Sequence, residues 1–205
     1  RTKGWKTGRI HHLLSKIERN YFYLLEWSEN VIDIREQFPL DRIDTIEIAN
    51  EKGIPHIKDK KTDTYIPMTT DFLITIRKNN KITTIARTIK PSEKLEDNRT
   101  LEKLEVEREY WERRSIDWAI VTEADIPKDL AKNIDWIHSF FSLENYQEEN
   151  IAQKLLSYIK KFSKSNSISL VDSITQFEED YLMETGVTIN YFRYLLANKF
   201  VSLRM

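Results

Sequence analysis

Asp71, Thr88 and Lys90 carry the chemistry that the sequence offers first, because their spacing brings them to one end of a predicted hairpin. Two β-rich runs, Asp71 to Arg77 and Ile82 to Lys90, flank Lys78-Asn79-Asn80-Lys81. Paired Asn residues tolerate positive φ and suit a tight turn. Asp71 opens the first strand. On the second, Thr88 and Lys90 stand two apart, and the strand period places both on one face with Arg87 and Ile89 opposite. A carboxylate and an ammonium at one sheet end suit phosphodiester hydrolysis. The carboxylate holds Mg²⁺, the metal activates water and stabilises the phosphorane charge, and the ammonium orients or deprotonates the attacking water. Taken alone, the same residues also fit a strand-start cap at Asp71 and a solvated strand end at Lys90.

Two helices have to bring further carboxylates to this place. Ile10, Leu13, Leu14, Ile17, Tyr21, Leu24 and Leu25 follow a helical period from Ile10 to Trp27, and Glu18 borders that apolar stripe. Glu18 faces a site or reaches past the stripe to water, since an unpartnered buried carboxylate is costly. A second helix, Asn98 to Arg114, has an inner seam of Leu101, Leu104, Arg108 and Trp111, with Glu107 turned toward it. There Glu107 pairs with a base or shares the pocket of Asp71. Val31 to Leu40 alternates as a strand ended by Pro39, Ile43 to Ala49 is a short helix or strand, Pro91 stops the hairpin, Ile116 to Thr122 is a buried strand, and Ala131 to Phe141 is helical. The order predicts an α/β fold, a mixed sheet flanked by helices.

The polar run Tyr146 to Asn150 suggests a boundary, giving domains 1–145 and 146–205. Beyond it the pattern predicts helices at Ile151 to Phe162, Leu170 to Met183 and Thr188 to Asn198, the last with Thr188 as N-cap, and a strand starting at Phe200. Three short helices with a turn at Gly186 fit a small winged-helix-like module or a plain helical tail. Asn190, Arg193, Asn198 and Lys199 are its polar readers.

A chain of 205 residues can bury a core without covalent staples, and the absence of cysteine excludes disulfides and thiolate zinc sites. No apolar run approaches the roughly 18 residues of a membrane span. These features predict a soluble, cytoplasmic protein, and the initial Arg1 suggests a piece of a longer one. Net charge is −1. Its distribution is uneven: Arg1, Lys3, Lys6, Arg9, Lys16 and Arg19, with His11 and His12, face a single acid, Glu18. The segment reads as a basic arm for DNA phosphates or as a solvated tail.

The order Glu on the first helix, Asp at the hairpin start and polar-x-Lys on the next strand resembles the PD-(D/E)xK restriction-endonuclease-like fold. More narrowly, KTGRIHHLLSKIE (Lys6 to Glu18), LEWSENVIDIREQFPL (Leu25 to Leu40), MTTDFLI (Met68 to Ile74), IKP (Ile89 to Pro91) and RTLEKLEVEREYW (Arg99 to Trp111) resemble the TnsA-like endonucleases of heteromeric transposases. The resemblance implies that Glu18, Asp71 and Lys90 are catalytic. It implies a Mg²⁺ site, with two ions and Mn²⁺ able to substitute, built on Glu18, Asp71 and the Ile89 carbonyl, with Glu107 as a further acidic position. It also implies cutting of double-stranded DNA at the 5′ transposon ends beside a TnsB-like transposase and a TnsC-like AAA+ regulator. Thr88 departs from the Gln or Glu of the pattern, and its hydroxyl is expected to orient a metal-bound water. Two other readings stand beside this one: a nuclease fold kept only for DNA binding and partner docking, and a nuclease of repair or restriction.

Overall fold

The computed structural model describes residues 1–143, 146–163 and 169–202, and the chain divides into two compact units, Arg1–Lys128 and Asp129–Met205. The division falls ahead of the helix expected at Ala131 to Phe141, whereas the polar run had suggested 145/146.

The N-terminal unit is built on a sheet of four strands, in spatial order β3 (Val31–Pro39), β4 (Thr69–Lys78), β5 (Lys81–Ile89) and β6 (Asp117–Val121). The first three pair antiparallel, and β6 lies parallel to β5. Asn79 and Asn80 both take positive φ (50° and 60°), the geometry of a two-residue hairpin turn whose twist matches the strands. Phe72, Leu73 and Ile74 are all buried because β4 is covered on both faces, which is why it reads as an apolar run rather than an alternation. On one side Tyr21 of α1 (Lys16–Trp27) meets Phe72 edge-on at 5.7 Å. On the other, Leu73 and Ala86 join Ile48, Val106, Tyr110 and Trp111 in the core under α2 (Arg42–Glu51) and α3 (Asn98–Glu112).

The structure shifts two sequence expectations and decides a third. The first helix starts at Lys16, not Ile10, because Ser15 is extended and its Oγ accepts the Glu18 N–H at 3.1 Å. Ile10–His11 instead form β2, paired with β1 (Thr2–Lys3). The segment at Ile43 to Ala49 is helical, capped by the Asp41 carboxylate on the N–H groups of Ile43 and Asp44. On α3 the inner face runs through Leu104, Val106, Glu107, Tyr110 and Trp111, while Leu101 is 43% exposed. Arg108 lies outside, paired with Glu105 and Glu112 in a surface network that also includes Lys52, Glu109 and Arg113.

Among the described residues the C-terminal unit is helical: α4 (Lys128–His138, from Asp129 onward), α5 (Tyr146–Ser163), α6 (Leu170–Asp180) and α7 (Thr188–Ala197). Thr188 is the first residue of α7 and is not its cap. The start is held from α6, where Glu178 accepts the N–H groups of Gly186 and Thr188 at 2.9 and 3.1 Å. Of the expected polar readers, Arg193 lies over the rings of Trp136 (4.3 Å) and Phe140 (4.8 Å), and Asn198 donates to the carbonyl of Phe141. No strand forms at 200–202, and 203–205 fall outside the described residues, as does 164–168 of the expected connector. No helix among the described residues is long and apolar enough to cross a membrane.

Candidate active site

The site forms where pairing in β4 loosens. The β4–β5 register ends at Phe72 opposite Arg87, and the next polar contact is made by a side chain: Asp71 Oδ2 accepts the Ile89 N–H at 2.7 Å. Lys90 Nζ lies 3.3 Å from the same oxygen, and the Lys90 N–H is tied to the Val121 carbonyl, which fixes the chain as it leaves the sheet. On the other side of β4, Glu36 pairs with Phe72 and Phe38 with Thr70, while Gln37 between them takes φ +48°. A non-glycine residue held there costs on the order of 1–3 kcal/mol and persists where its neighbours dictate it. Gln37 Nε2 donates to Asp71 Oδ1 at 3.4 Å and to Glu18 Oε2 at 3.5 Å.

Glu18 is 7% exposed and fixed by a reciprocal cap: its N–H goes to Ser15 Oγ and its Oε2 accepts the Leu14 N–H at 3.0 Å. Asp71 is 9% exposed. The structure therefore brings Glu18, Asp71 and Lys90 together around Gln37. Sequence reasoning missed Gln37, since an uncharged residue inside a regular strand pattern gives no sign of positive φ.

Glu107 faces inward as expected, and the Thr88 hydroxyl is turned to it. Thr88 is 1% exposed, and its hydroxyl donates to Glu107 Oε1. Thr70 Oγ1 donates to the same oxygen at 2.6 Å and Trp118 Nε1 at 3.2 Å, while Trp111 Nε1 donates to Thr70. Thr88 keeps the face of Ala86, toward α3, as the strand period requires. With Oε1 taken by three donors and only 4% exposure, Glu107 braces Thr70 and Thr88, the neighbours of Asp71 and Ile89.

Burial pushes the Glu107 carboxyl above its ordinary value, against the hydrogen bonds from Thr70, Thr88 and Trp118, and the nearby Asp71 charge adds to the rise. A raised folded-state value means that its contribution to stability is complete below about 4.5 and is lost as pH rises through the folded value. Glu107→Gln, which keeps an acceptor, should therefore gain on the wild type in urea midpoint as pH is raised. Glu107→Ala strands buried donors and should lose at least about 2 kcal/mol. A Glu107→Gln curve parallel to wild type at every pH would refute the assignment.

The basic segment is folded rather than extended. His11 is fully buried, and burial lowers its pKa despite Glu36. The neutral ring donates Nδ1–H to Glu36 at 2.7 Å and accepts from Thr7 Oγ1 at Nε2, also at 2.7 Å. A Cβ on Gly4 would stand 2.8 Å from His11 Nε2, so this packing requires glycine. Arg9 bonds Glu36 and the Ile34 carbonyl, and the N–H groups of Trp5 and Lys6 are held by Glu26. His11 is thereby withdrawn from DNA contact and Arg9 is committed to Glu36, whereas Arg1, Lys3 and His12 are exposed and Lys6 is half-buried.

Among the described residues no group of three or more His, Cys, Asp or Glu side chains is placed to hold a metal. The donors present are oxygen: two carboxylates with one amide between them. They fit Mg²⁺, which takes one or two carboxylates and keeps waters or substrate phosphates in its remaining positions.

Two family descriptions match the chain, "TnsA-like endonuclease N terminal" over residues 28–123 and "TnsA endonuclease C terminal" over residues 125–205. The first begins beyond α1, so Glu18 lies outside it. The Transposon Tn7 transposition protein TnsA of Escherichia coli is 38% identical over 200 residues, spanning 96% of this chain and 70% of that protein. At this identity and coverage, and with both halves of the chain matched in order, the chain belongs to the TnsA endonuclease family.

Proposed function

We propose that the chain cuts the non-transferred strand of duplex DNA at the 5′ ends of a transposon, as a Mg²⁺-dependent endonuclease centred on Glu18, Asp71 and Lys90. The observation that carries this is the meeting of two nearly buried carboxylates and an ammonium at the open end of β4, where Asp71 Oδ2 takes both the Ile89 N–H and Lys90 Nζ. A divalent cation held by Glu18 and Asp71, with the Ile89 carbonyl, would supply Lewis-acid stabilisation of the phosphoryl oxygens and an acidified water. Asp71 is oriented for this by the Ile89 N–H, and Glu18 by its cap on Leu14. Lys90 positions the attacking water or takes its proton. Thr70 and Thr88, braced on Glu107, keep the two strand ends from drifting. Mn²⁺ should substitute, and a second ion would draw its remaining ligands from DNA phosphate.

The TnsA relationship supports a TnsB-like transposase that joins the 3′ ends and a TnsC-like AAA+ regulator as partners, with the helical unit as a docking module. The test is strand-resolved cleavage of a plasmid carrying transposon ends, with Mg²⁺ and both partners. Breaks at the 5′ ends are expected. No cleavage with Mg²⁺ or Mn²⁺ would leave a docking subunit, and cutting without ends or partners would point to repair or restriction.

Arg1 and Lys3 are exposed and are the proposed phosphate contacts of the N-terminal segment, with His12 and Lys6 beside them. Replacing both Arg1 and Lys3 by Ala should flatten the plot of log affinity against log salt by about 0.9 for each phosphate no longer neutralised. An unchanged slope would return the segment to a purely structural role.

A further inference from the structure

We propose that Gln37 is a two-position group in the cation site: without a cation its amide nitrogen holds the Glu18 and Asp71 carboxylates together, and with one bound its amide oxygen turns inward as a ligand. This rests on the reading of Glu18 and Asp71 as cation ligands.

One nitrogen, Nε2, stands 3.5 Å from Glu18 Oε2 and 3.4 Å from Asp71 Oδ1, so its two N–H groups serve one carboxylate each. The partly positive NH₂ takes the place that a cation would occupy between the two anions. An N–H group and a cation repel, so the amide has to turn when an ion enters. Rotation about its last torsion exchanges nitrogen and oxygen without moving the backbone, and that torsion is soft.

The surroundings allow the turn. Thr69 Oγ1 lies 3.5 Å from Gln37 Oε1, and a hydroxyl donates to an amide oxygen or accepts from an amide nitrogen, so it serves both orientations. The backbone aims the side chain: Gln37 sits at φ +48° between the anchored pairs Glu36–Phe72 and Phe38–Thr70. The site also lacks another neutral oxygen from the Thr88 side chain of β5, since that hydroxyl is directed at Glu107.

The test is Mn²⁺ binding to the purified protein without DNA, followed by the paramagnetic resonance of free Mn²⁺, with thermal midpoints in the presence and absence of the ion. Gln37→Leu should weaken Mn²⁺ by about tenfold or more and lower the metal-free midpoint, because the carboxylates lose both donor and ligand. Gln37→Glu should tighten Mn²⁺ and lower the metal-free midpoint, with recovery when the ion is added. Asp71→Asn serves as the control for the site itself. If Asp71→Asn loses Mn²⁺ while Gln37→Leu binds like wild type, the role of Gln37 is overturned and the endonuclease reading stands. Should Gln37→Leu fail to fold, unchanged or weaker Mn²⁺ affinity in Gln37→Glu overturns it equally. Absence of Mn²⁺ binding in the wild type at millimolar concentration overturns both.

Discussion

Asp71→Asn should lower DNA cleavage by about a thousandfold or more while leaving the thermal midpoint close to that of the wild type. The amide keeps an oxygen to accept the Ile89 N–H, now at 2.7 Å from Oδ2, so the join between β4 and β5 survives. It removes the negative charge that holds a cation, and that ion contributes several kcal/mol of charge stabilisation, about 1.4 kcal/mol for each tenfold of rate. Asn is the better replacement than Ala here, because Ala would also strand the Ile89 N–H, and a fall in activity would then mix chemistry with local unfolding. Cleavage by Asp71→Asn within tenfold of wild type would remove Asp71 from the metal site.

Lys90→Ala should also lower cutting sharply, with the opposite signature in metal binding. Its Nζ is 3.3 Å from Asp71 Oδ2 and its side chain is one-third exposed, so the ion pair adds little stability. Removing an ammonium from beside the Asp71 carboxylate should leave Mn²⁺ affinity equal or higher, because a competing positive charge is gone. The loss of rate, about a hundredfold to ten-thousandfold, is that expected for a group that positions or deprotonates the nucleophile. Measuring cleavage and Mn²⁺ binding on the same protein separates the roles of Asp71 and Lys90. Loss of Mn²⁺ binding in Lys90→Ala would show instead that the lysine supports the ligand geometry.

Asp71 and the Asn79-Asn80 turn were legible because strand propensity, turn chemistry and the proline after Lys90 all agreed. Glu18 was legible as a carboxylate at the edge of an apolar stripe, although the stripe itself misled. Ile10, Leu13 and Leu14 fit the helical period, yet Ser15 caps at Lys16, and Ile10 and Leu14 are 58% and 74% exposed. A local hydrogen bond overrode the hydrophobic pattern. Glu107 was legible as an inward-facing carboxylate from its helical spacing to Leu104 and Trp111, whereas its hydrogen bonds to Thr70 and Thr88 come from two other elements. The break at Asp71 and the exit at Lys90 are tertiary facts, set by the Asp71–Ile89 and Lys90–Val121 hydrogen bonds, and no local pattern encodes them. His11 shows the same limit. Among so many basic neighbours it reads as a phosphate contact, but it is buried beneath Gly4 against Phe22, with ring centroids 4.7 Å apart, and its charge is suppressed by that burial.

The central claim is that Glu18 and Asp71 together form a divalent-cation site beside Lys90. Crystals of the wild-type protein soaked in Mn²⁺ and measured at the manganese absorption edge test it most directly. The account predicts an anomalous peak in the gap now bridged by Gln37 Nε2, within ligand distance of a Glu18 carboxylate oxygen and Asp71 Oδ1. A gap without such a peak, in crystals of a protein that cleaves DNA with Mn²⁺, would contradict it.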